Sequence, residues 1–447
     1  MASNVGSAST HAPAGLSTQS SASESAHAIA EAAARRSYGK LVAFLAARTR
    51  DVAGAEDALS EAFAAALEDW PAHGAPHTPE AWLLTAARRK LIDAARLRHT
   101  HERSAEHLLL LAELAESEDE ARAIPDHRLE LMFACAHPAL DAGVRAPLIL
   151  QTILGFDAAT IASAFLVAPA TMGQRLVRAK GKIRQAGIPL RVPDSDQLRP
   201  RLAAVLDAIY AAFAEGWSDP GGTEARRRNL SEEAIWLGRL VASLLPEEPE
   251  ALGLLSLMLH AQARRAARRD ARGDYVPLAD QDPALWDTQL IEQAEELLTR
   301  AGAMNAVGRF QLEAAVQSAH VVRRRTGRAD WSAIDSLYDA LMALTDSPVV
   351  AVNRAVALAE TRGATAALAE LESIAADTRL AQYQPYWAAR AQLLARVGDR
   401  ERADQAYERA IGLETDPAVR RFLQQRRQRL HDGSVPAATA VARGPRM

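Results

Sequence analysis

From about residue 31 to residue 430, apolar residues recur at three- and four-residue spacing almost without a break. That period commits the chain to helices, because only a helix gathers i, i+3, i+4 and i+7 onto one face. Composition points the same way. Ala, Leu, Arg and Glu dominate, and aromatics make up only 5%. The β-branched and aromatic excess that strands favour is missing. The expected fold class is all-α. At 447 residues the chain exceeds the roughly 250–300 residues that one core sustains, so several domains are expected.

Several function classes fall away. The single cysteine, Cys135, sits in the apolar run Leu131-Met-Phe-Ala-Cys-Ala136 and reads as a small buried hydrophobe, not a nucleophile. No apolar run approaches the roughly 18–20 residues of a membrane span, and the N-terminus lacks a secretory pattern. A soluble, cytoplasmic protein with no membrane partner is expected. There is no phosphate loop, dinucleotide turn, nucleophile elbow or zinc spacing, so no catalytic residue, metal or cofactor is assigned. His99-Thr-His101 is a metal-like pair, but it lies in a basic run suited to DNA.

Residues 1–30 are rich in Ser, Ala and Thr with one charged side chain, Glu24, and read as a disordered tail; residues 431–447 read likewise. The first ordered block is 31–104. Within it Ala55, Ala58, Leu59, Ala62, Phe63, Ala66, Leu67 and Trp70 form one apolar stripe, with Glu56, Asp57, Glu61, Glu68 and Asp69 on an acidic outer face. A Pro/Gly/His loop covers 71–79. Thr78 and Pro79 then restart a helix that turns Trp82, Leu83, Leu84, Leu91 and Ile92 inward. Its far end is basic: Arg88, Arg89, Lys90, Arg96, Arg98 and Arg103 oppose Asp93 and Glu102, a net +4 over 88–103. The sign then reverses to −6 over 102–130, which reads as an acidic linker centred on 105–125.

The block 126–190 is positive again. Asp157 caps a short helix with Ile161, Ala162 and Phe165 facing in. Val167-Ala168 makes a turn, and Pro169 starts a second helix. On that helix Met172, Leu176, Ala179 and Ile183 form the docking side, while Thr171, Gln174, Arg175, Arg178 and Lys182 point outward. An apolar back and a polar, basic front is how a recognition helix enters the major groove. Arg pairs with guanine, Gln with adenine, and Lys neutralises phosphate.

Three stretches in this order resemble the extracytoplasmic-function group of sigma-70 family factors: Asp51-Val-Ala-Gly-Ala-Glu-Asp-Ala-Leu-Ser-Glu-Ala-Phe63, then Pro79-Glu-Ala-Trp-Leu-Leu-Thr-Ala-Ala-Arg-Arg-Lys-Leu-Ile-Asp-Ala-Ala-Arg96, then His137-Pro-Ala-Leu140 with the helix-turn-helix ending Arg175-Leu-Val-Arg-Ala-Lys180. The resemblance spans about 35–190. It implies a region 2 that binds core RNA polymerase through Glu56, Asp57, Glu61 and Phe63. It implies that His73, His77, Trp82, Arg88, Arg89 and Lys90 open the minus-ten element of promoter DNA. Region 4 would read the minus-thirty-five element through Thr171, Gln174, Arg175, Arg178 and Lys182. By the same analogy the acidic linker lies in the polymerase RNA channel. Gly173 departs from relatives, which often carry a longer polar residue there, so promoter preference does not transfer.

Residues 195–430 extend well past such a factor and look like the subgroup with a TPR-like helical array. Trp387, Ala391, Leu394, Ala403, Tyr407 and Ala410 match the repeat pattern best, and Gly327, Gly363 and Gly398 recur at nearly its period. Ala214-Glu-Gly-Trp217 resembles a signature of this subgroup, with Ala in place of Asn. Arg264, Arg265, Arg268 and Arg269 read as a basic helix face, either solvated or gripping the linker, polymerase or DNA. The resemblance implies control in cis, by contact of the array with regions 2 and 4, and leaves a separate anti-sigma factor open. The rival readings are an operator-binding helix-turn-helix regulator with a TPR sensor, which leaves 31–104 unexplained, and a pure TPR scaffold, which gives Arg175 and Arg178 no DNA role.

Overall fold

A computed structural model of the chain describes residues 15–99, 125–165, 167–218 and 230–432. The expected linker at 105–125 lies almost wholly outside these residues, as do His101 and the C-terminal tail beyond Asp432. The described residues are all-helical apart from turns and a single isolated bridge pair, Arg269 with Tyr275. The chain divides into two compact units, residues 1–208 and 209–447.

In the first unit, α1 (Gly15–Thr49) begins inside the stretch expected to be a tail. The reason is alanine. Ala26, Ala30 and Ala33 recur every three or four residues and are buried, and Ala is the best helix former. Farther along, Leu41 through Ala46 are buried without exception, so neighbours surround the helix there. Arg50 at φ 51° turns the chain into α2 (Val52–His73), whose cap is the Asp51 side chain accepting from the Gly54 amide. The buried side of α2 is Ala55, Ala58, Leu59, Ala62, Ala66 and Trp70. Phe63 is only half-buried and Leu67 is 43% exposed, so the stripe is narrower than the sequence suggested. Glu56, expected on the outer face, is buried instead.

The chain then forms α3 (Pro79–His99), with Leu83, Leu84, Ala87 and Leu91 in the core, and α4 (Arg128–Cys135). Cys135 is buried with its Sγ 3.7 Å from Thr152 Oγ1, and burial pushes the thiol up to about 12. Next come α5 (Ala142–Leu154), α6 (Ala158–Ala164) and α7 (Pro169–Gln185). Asp157 caps α6 by accepting from the Thr160 amide. Met172, Leu176, Ala179 and Ile183 dock α7, as their spacing requires. Where α1 crosses α5, Gly39 is obligatory: a β-carbon there would sit 2.0 Å from the Ile153 carbonyl oxygen.

Helix α8 (Ser195–Ser218) runs across the division between the units. The second unit continues with α9 (Leu230–Leu244), α10 (Pro249–Ala263), α11 (Thr288–Ala303), α12 (Arg309–Val321), α13 (Arg323–Thr326) and α14 (Trp331–Leu344). Helix α10 is buried nearly all round and packs on α9, α11 and α12. Its Glu250 reaches across to accept from the amides of Phe310 and Gln311, satisfying the first turn of α12 from a different helix. Antiparallel pairs follow: α15 (Pro348–Thr361) with α16 (Ala364–Ser373), and α17 (Gln384–Val397) with α18 (Arg400–Leu413), closed by α19 (Pro417–His431). Gly327, Gly363 and Gly398 all adopt positive φ, 73°, 87° and 89°, at the breaks between helices. Ala391, Leu394, Ala403, Tyr407 and Ala410 are buried in one core with residues of α15, α16 and α19.

The arginine cluster does not form one helix face. Helix α10 ends at Ala263, and the chain fans the four side chains apart. Arg264 donates to the His260 carbonyl and to Gln317; Arg265 donates to Ser231. Arg268 lies 4.3 Å from the Trp217 ring centroid and donates to the Trp217 carbonyl. Arg269 pairs with Asp416 at 2.6 Å. The cluster is an internal brace of the second unit.

Candidate nucleic-acid interface

Two surfaces of the first unit carry the residues singled out in the sequence. The first is the exposed side of α2 and α3. Asp57 and Glu61 stand one turn apart and are exposed, as i and i+4 on a helix must be when the stripe beside them is buried. Glu61 Oε2 lies 3.0 Å from Lys90 Nζ, which brings an expected polymerase contact against an expected DNA contact. Phe63 is half-buried. Trp82 is also half-buried and packs edge-on against Trp70, with centroids 5.5 Å apart.

The turn between α2 and α3 is shorter than expected. Helix α2 runs through Pro71 to His73 and stops at Gly74, φ 84°, whose amide donates to the Trp70 carbonyl. Residues 74–78 are the non-helical part. His73 is therefore helical, and its Nδ1 lies 2.8 Å from Asp69; His77 is on the turn, and both are exposed. Arg89 and Lys90 are exposed on α3.

Arg88 departs from this group. It is buried, with its guanidinium 5.2 Å from the Phe44 ring centroid. The helical period explains why: Arg88 follows Leu84 by four residues and shares its inward face. Its place is in the packing of α3 on α1, and it does not stand on the outer wall with Arg89 and Lys90.

The second surface is α7. Thr171, Gln174, Arg175, Arg178 and Lys182 are all exposed, on the side opposite the docking row. Five polar or basic side chains on one helical face match what the major groove requires of a protein helix. The loop leading into this block is tied down. His137 Nδ1 accepts from the Ala139 amide, and Arg145 donates to the Leu140 and Pro138 carbonyls.

Two basic side chains of α7 have partners on another helix that the sequence reading did not foresee. Lys180 and Arg184 lie at i and i+4 on the flank of α7 between its docking and exposed rows. Both turn toward α2. Lys180 Nζ is 2.5 Å from Glu56 Oε2, with both side chains about nine-tenths buried, and Arg184 is 3.1 Å from Asp51 Oδ2. Burial holds the Glu56 carboxyl above its ordinary value, against the pull of Lys180, with Asp57 adding to the rise. A second basic row on α7 was visible in the sequence; its partner, 124 residues earlier, was not.

Comparison with known proteins bears on both units. Residues 34–100 match Sigma-70 region 2, and residues 201–302 match a family of unknown function (DUF6596). The first match holds α2, α3 and the turn between them. The second holds α9, α10, α11 and the arginine brace. An uncharacterized protein of Rhizobium meliloti (strain 1021) is 39% identical over 392 residues, covering 86% of this chain and 92% of that protein. No solved structure matches. Region 2 at 34–100 on an all-helical frame, with that near full-length likeness, gives the conclusion: the chain carries a Sigma-70 region 2 and belongs to the same family as its Rhizobium relative.

Proposed function

We propose that this chain is a sigma factor of the extracytoplasmic-function type that acts in the cytoplasm, without catalysis of its own. It binds core RNA polymerase and directs it to promoters of defined sequence. The observation that carries this reading is the pairing of a region 2 match with an exposed basic row on α7, backed by a fully buried docking row.

In this reading Asp57, Glu61 and Phe63 meet a basic surface of the polymerase. The turn at 74–78, with His77 and the neighbouring His73, Trp82, Arg89 and Lys90, holds the opened minus-ten strand. Unstacking a base costs a few kcal/mol, which stacking on aromatic rings and phosphate contacts must offset. Region 4, residues 126–190, reads the minus-thirty-five element through Thr171, Gln174, Arg175, Arg178 and Lys182. Residues 195–430 act as a TPR-like array that regulates the other regions in cis.

The test is reconstituted transcription with core polymerase on mapped promoters. Asp57→Ala combined with Glu61→Ala should weaken polymerase binding by up to about thirtyfold, since exposed charge pairs contribute up to about 1 kcal/mol each and 1.4 kcal/mol is tenfold. Arg175→Ala should lower promoter discrimination by about 1–3 kcal/mol and leave polymerase binding unchanged. Tight, sequence-specific duplex binding in the absence of polymerase, together with no binding of the polymerase, would instead support an operator-binding regulator.

A further inference from the structure

We propose that the second unit holds a binding site for a small oxyanion, a carboxylate or phosphate group, built on the Arg264 guanidinium where the C-terminal ends of α10 and α12 come together. The site lies wholly within the second unit and stands whether or not the first unit binds polymerase.

Arg264 is a buried charge with no opposite charge beside it. The residue is 8% exposed. Its Nε donates to the His260 carbonyl and its Nη2 to the Gln317 side-chain oxygen. A guanidinium has five N–H groups, so both on Nη1 and the second on Nη2 have no acceptor among the described residues. Arg323 is likewise held by neutral groups, the Leu278 and Gln281 carbonyls. Among the described residues no carboxylate lies within ion-pair distance of either arginine; Glu295 turns toward His260 and Ser318 instead. Burial first, and then the Arg268 charge, pull the Arg264 guanidinium down to about 10, the reverse of what an adjacent carboxylate does. Hydrogen-bond donors are also in surplus here. His260, one turn before Arg264 on the same face, is fully buried, and neither ring nitrogen has a hydrogen-bond partner. Trp286 is 2% exposed, shares a core with Ala263, and its indole N–H has no acceptor. A positive corner with spare donors and no acid suits an oxyanion, not a cation or an apolar ligand.

Charge arithmetic decides whether an anion is needed. Helix α10 ends at Ala263 and α12 at Val321, and each C-terminal end carries a charge of about −0.5. The two ends together offset about half of the Arg264 and Arg323 charges. The imidazoles of His260 and His320 are held neutral by burial and add none. A net charge of about +1 is left, in a setting where an unpaired ion is costly. One bound oxyanion supplies the balance. An arginine with N–H groups to spare grips a carboxylate or phosphate through two parallel hydrogen bonds. The 8% of Arg264 that stays exposed gives such an ion a way in from solvent.

The test is calorimetric titration of the full chain with sodium phosphate and, separately, with sodium succinate, each at constant ionic strength so that general salt effects cancel. At least one of the two should bind saturably, one ion per chain. It should also slow hydrogen exchange of the last amides of α10 and α12, since a ligand of the folded unit stabilises it. Arg264→Gln keeps a polar side chain but removes the charge, and should weaken binding at least about tenfold. Arg264→Lys keeps the charge without the planar fork, should weaken binding by less, and serves if Arg264→Gln does not fold. Binding of phosphate alone would mark a phosphorylated ligand, of succinate alone a carboxylate, and of both a site for any small oxyanion. No saturable binding of either ion, equal affinity in the unaltered chain and both variants, or slowed exchange confined to helices other than α10 and α12 would overturn the site.

Discussion

Two glycines on helices show how differently one residue type can be used. Gly39 lies where α1 touches α5, and a β-carbon would overlap the Ile153 carbonyl at 2.0 Å. Gly173 lies on α7, where a β-carbon would meet only the Ala158 methyl at 3.9 Å, an ordinary contact. Gly39→Ala should therefore destabilise the first unit by about 1–3 kcal/mol, the usual cost of overpacking. Gly173→Ala should stabilise α7 by about 1 kcal/mol, because glycine in a helix interior carries that penalty against alanine. Urea denaturation of both variants checks the pair. Shifts of the same sign would mean that the α1–α5 crossing is looser than the structure has it. The role of Gly39 was not legible in the sequence, where it is a single Gly inside a helical period, whereas Gly173 already stood out there as a departure on the recognition helix.

At the scale of elements, the sequence was most legible where one helix meets one core. The docking row of α7, the cap at Asp157 and the inter-helix breaks at Gly327, Gly363 and Gly398 follow from local spacing, and local spacing is all that a period contains. It failed where a helix stops early. Reading Arg264, Arg265, Arg268 and Arg269 as one face assumed a helix through 269, but α10 ends at Ala263 and the Asp, Gly and Pro residues of 270–287 carry the chain on in short turns. Glu56 failed for another reason. Its helical position is on the rim of the stripe, and only the arrival of Lys180 from α7 decides that it is buried.

Asp416 illustrates the gain from seeing partners. It caps α19 through the Ala418 and Val419 amides and also holds Arg269. Asp416→Ala should cost about 1–2 kcal/mol for the cap alone and more with the ion pair, whereas Arg269→Ala loses only the pair. Hydrogen exchange of the α19 amides should accelerate clearly in Asp416→Ala and less in Arg269→Ala. Equal effects would show that the cap contributes nothing.

For the molecule as a whole, the buried histidines of the second unit set a pH limit on folding. His260 on α10 and His320 on α12 are each driven to about 3, first by burial and then by the Arg264 guanidinium, with Arg323 adding at His320. Glu295 Oε1 lies 3.5 Å from His260 Nε2, too distant to hold a proton there against burial. Both imidazoles are thus neutral in the folded unit and take up protons readily when it opens. Because the folded values are depressed, their contribution to stability is complete above the ordinary value of 6.5 and is lost as pH falls from there toward 3. Each histidine then costs about 1.4 kcal/mol per pH unit below 6.5. Between pH 7.5 and pH 5.5 the unit should lose about 3 kcal/mol from the pair, seen as earlier exchange of the α10 and α12 amides. His320→Gln should remove about half of that pH dependence while leaving the unit folded at pH 7.5. A stability that stays flat between those pH values would mean that Arg264 and the two histidines are not buried together, and the arginine brace would have to be redrawn.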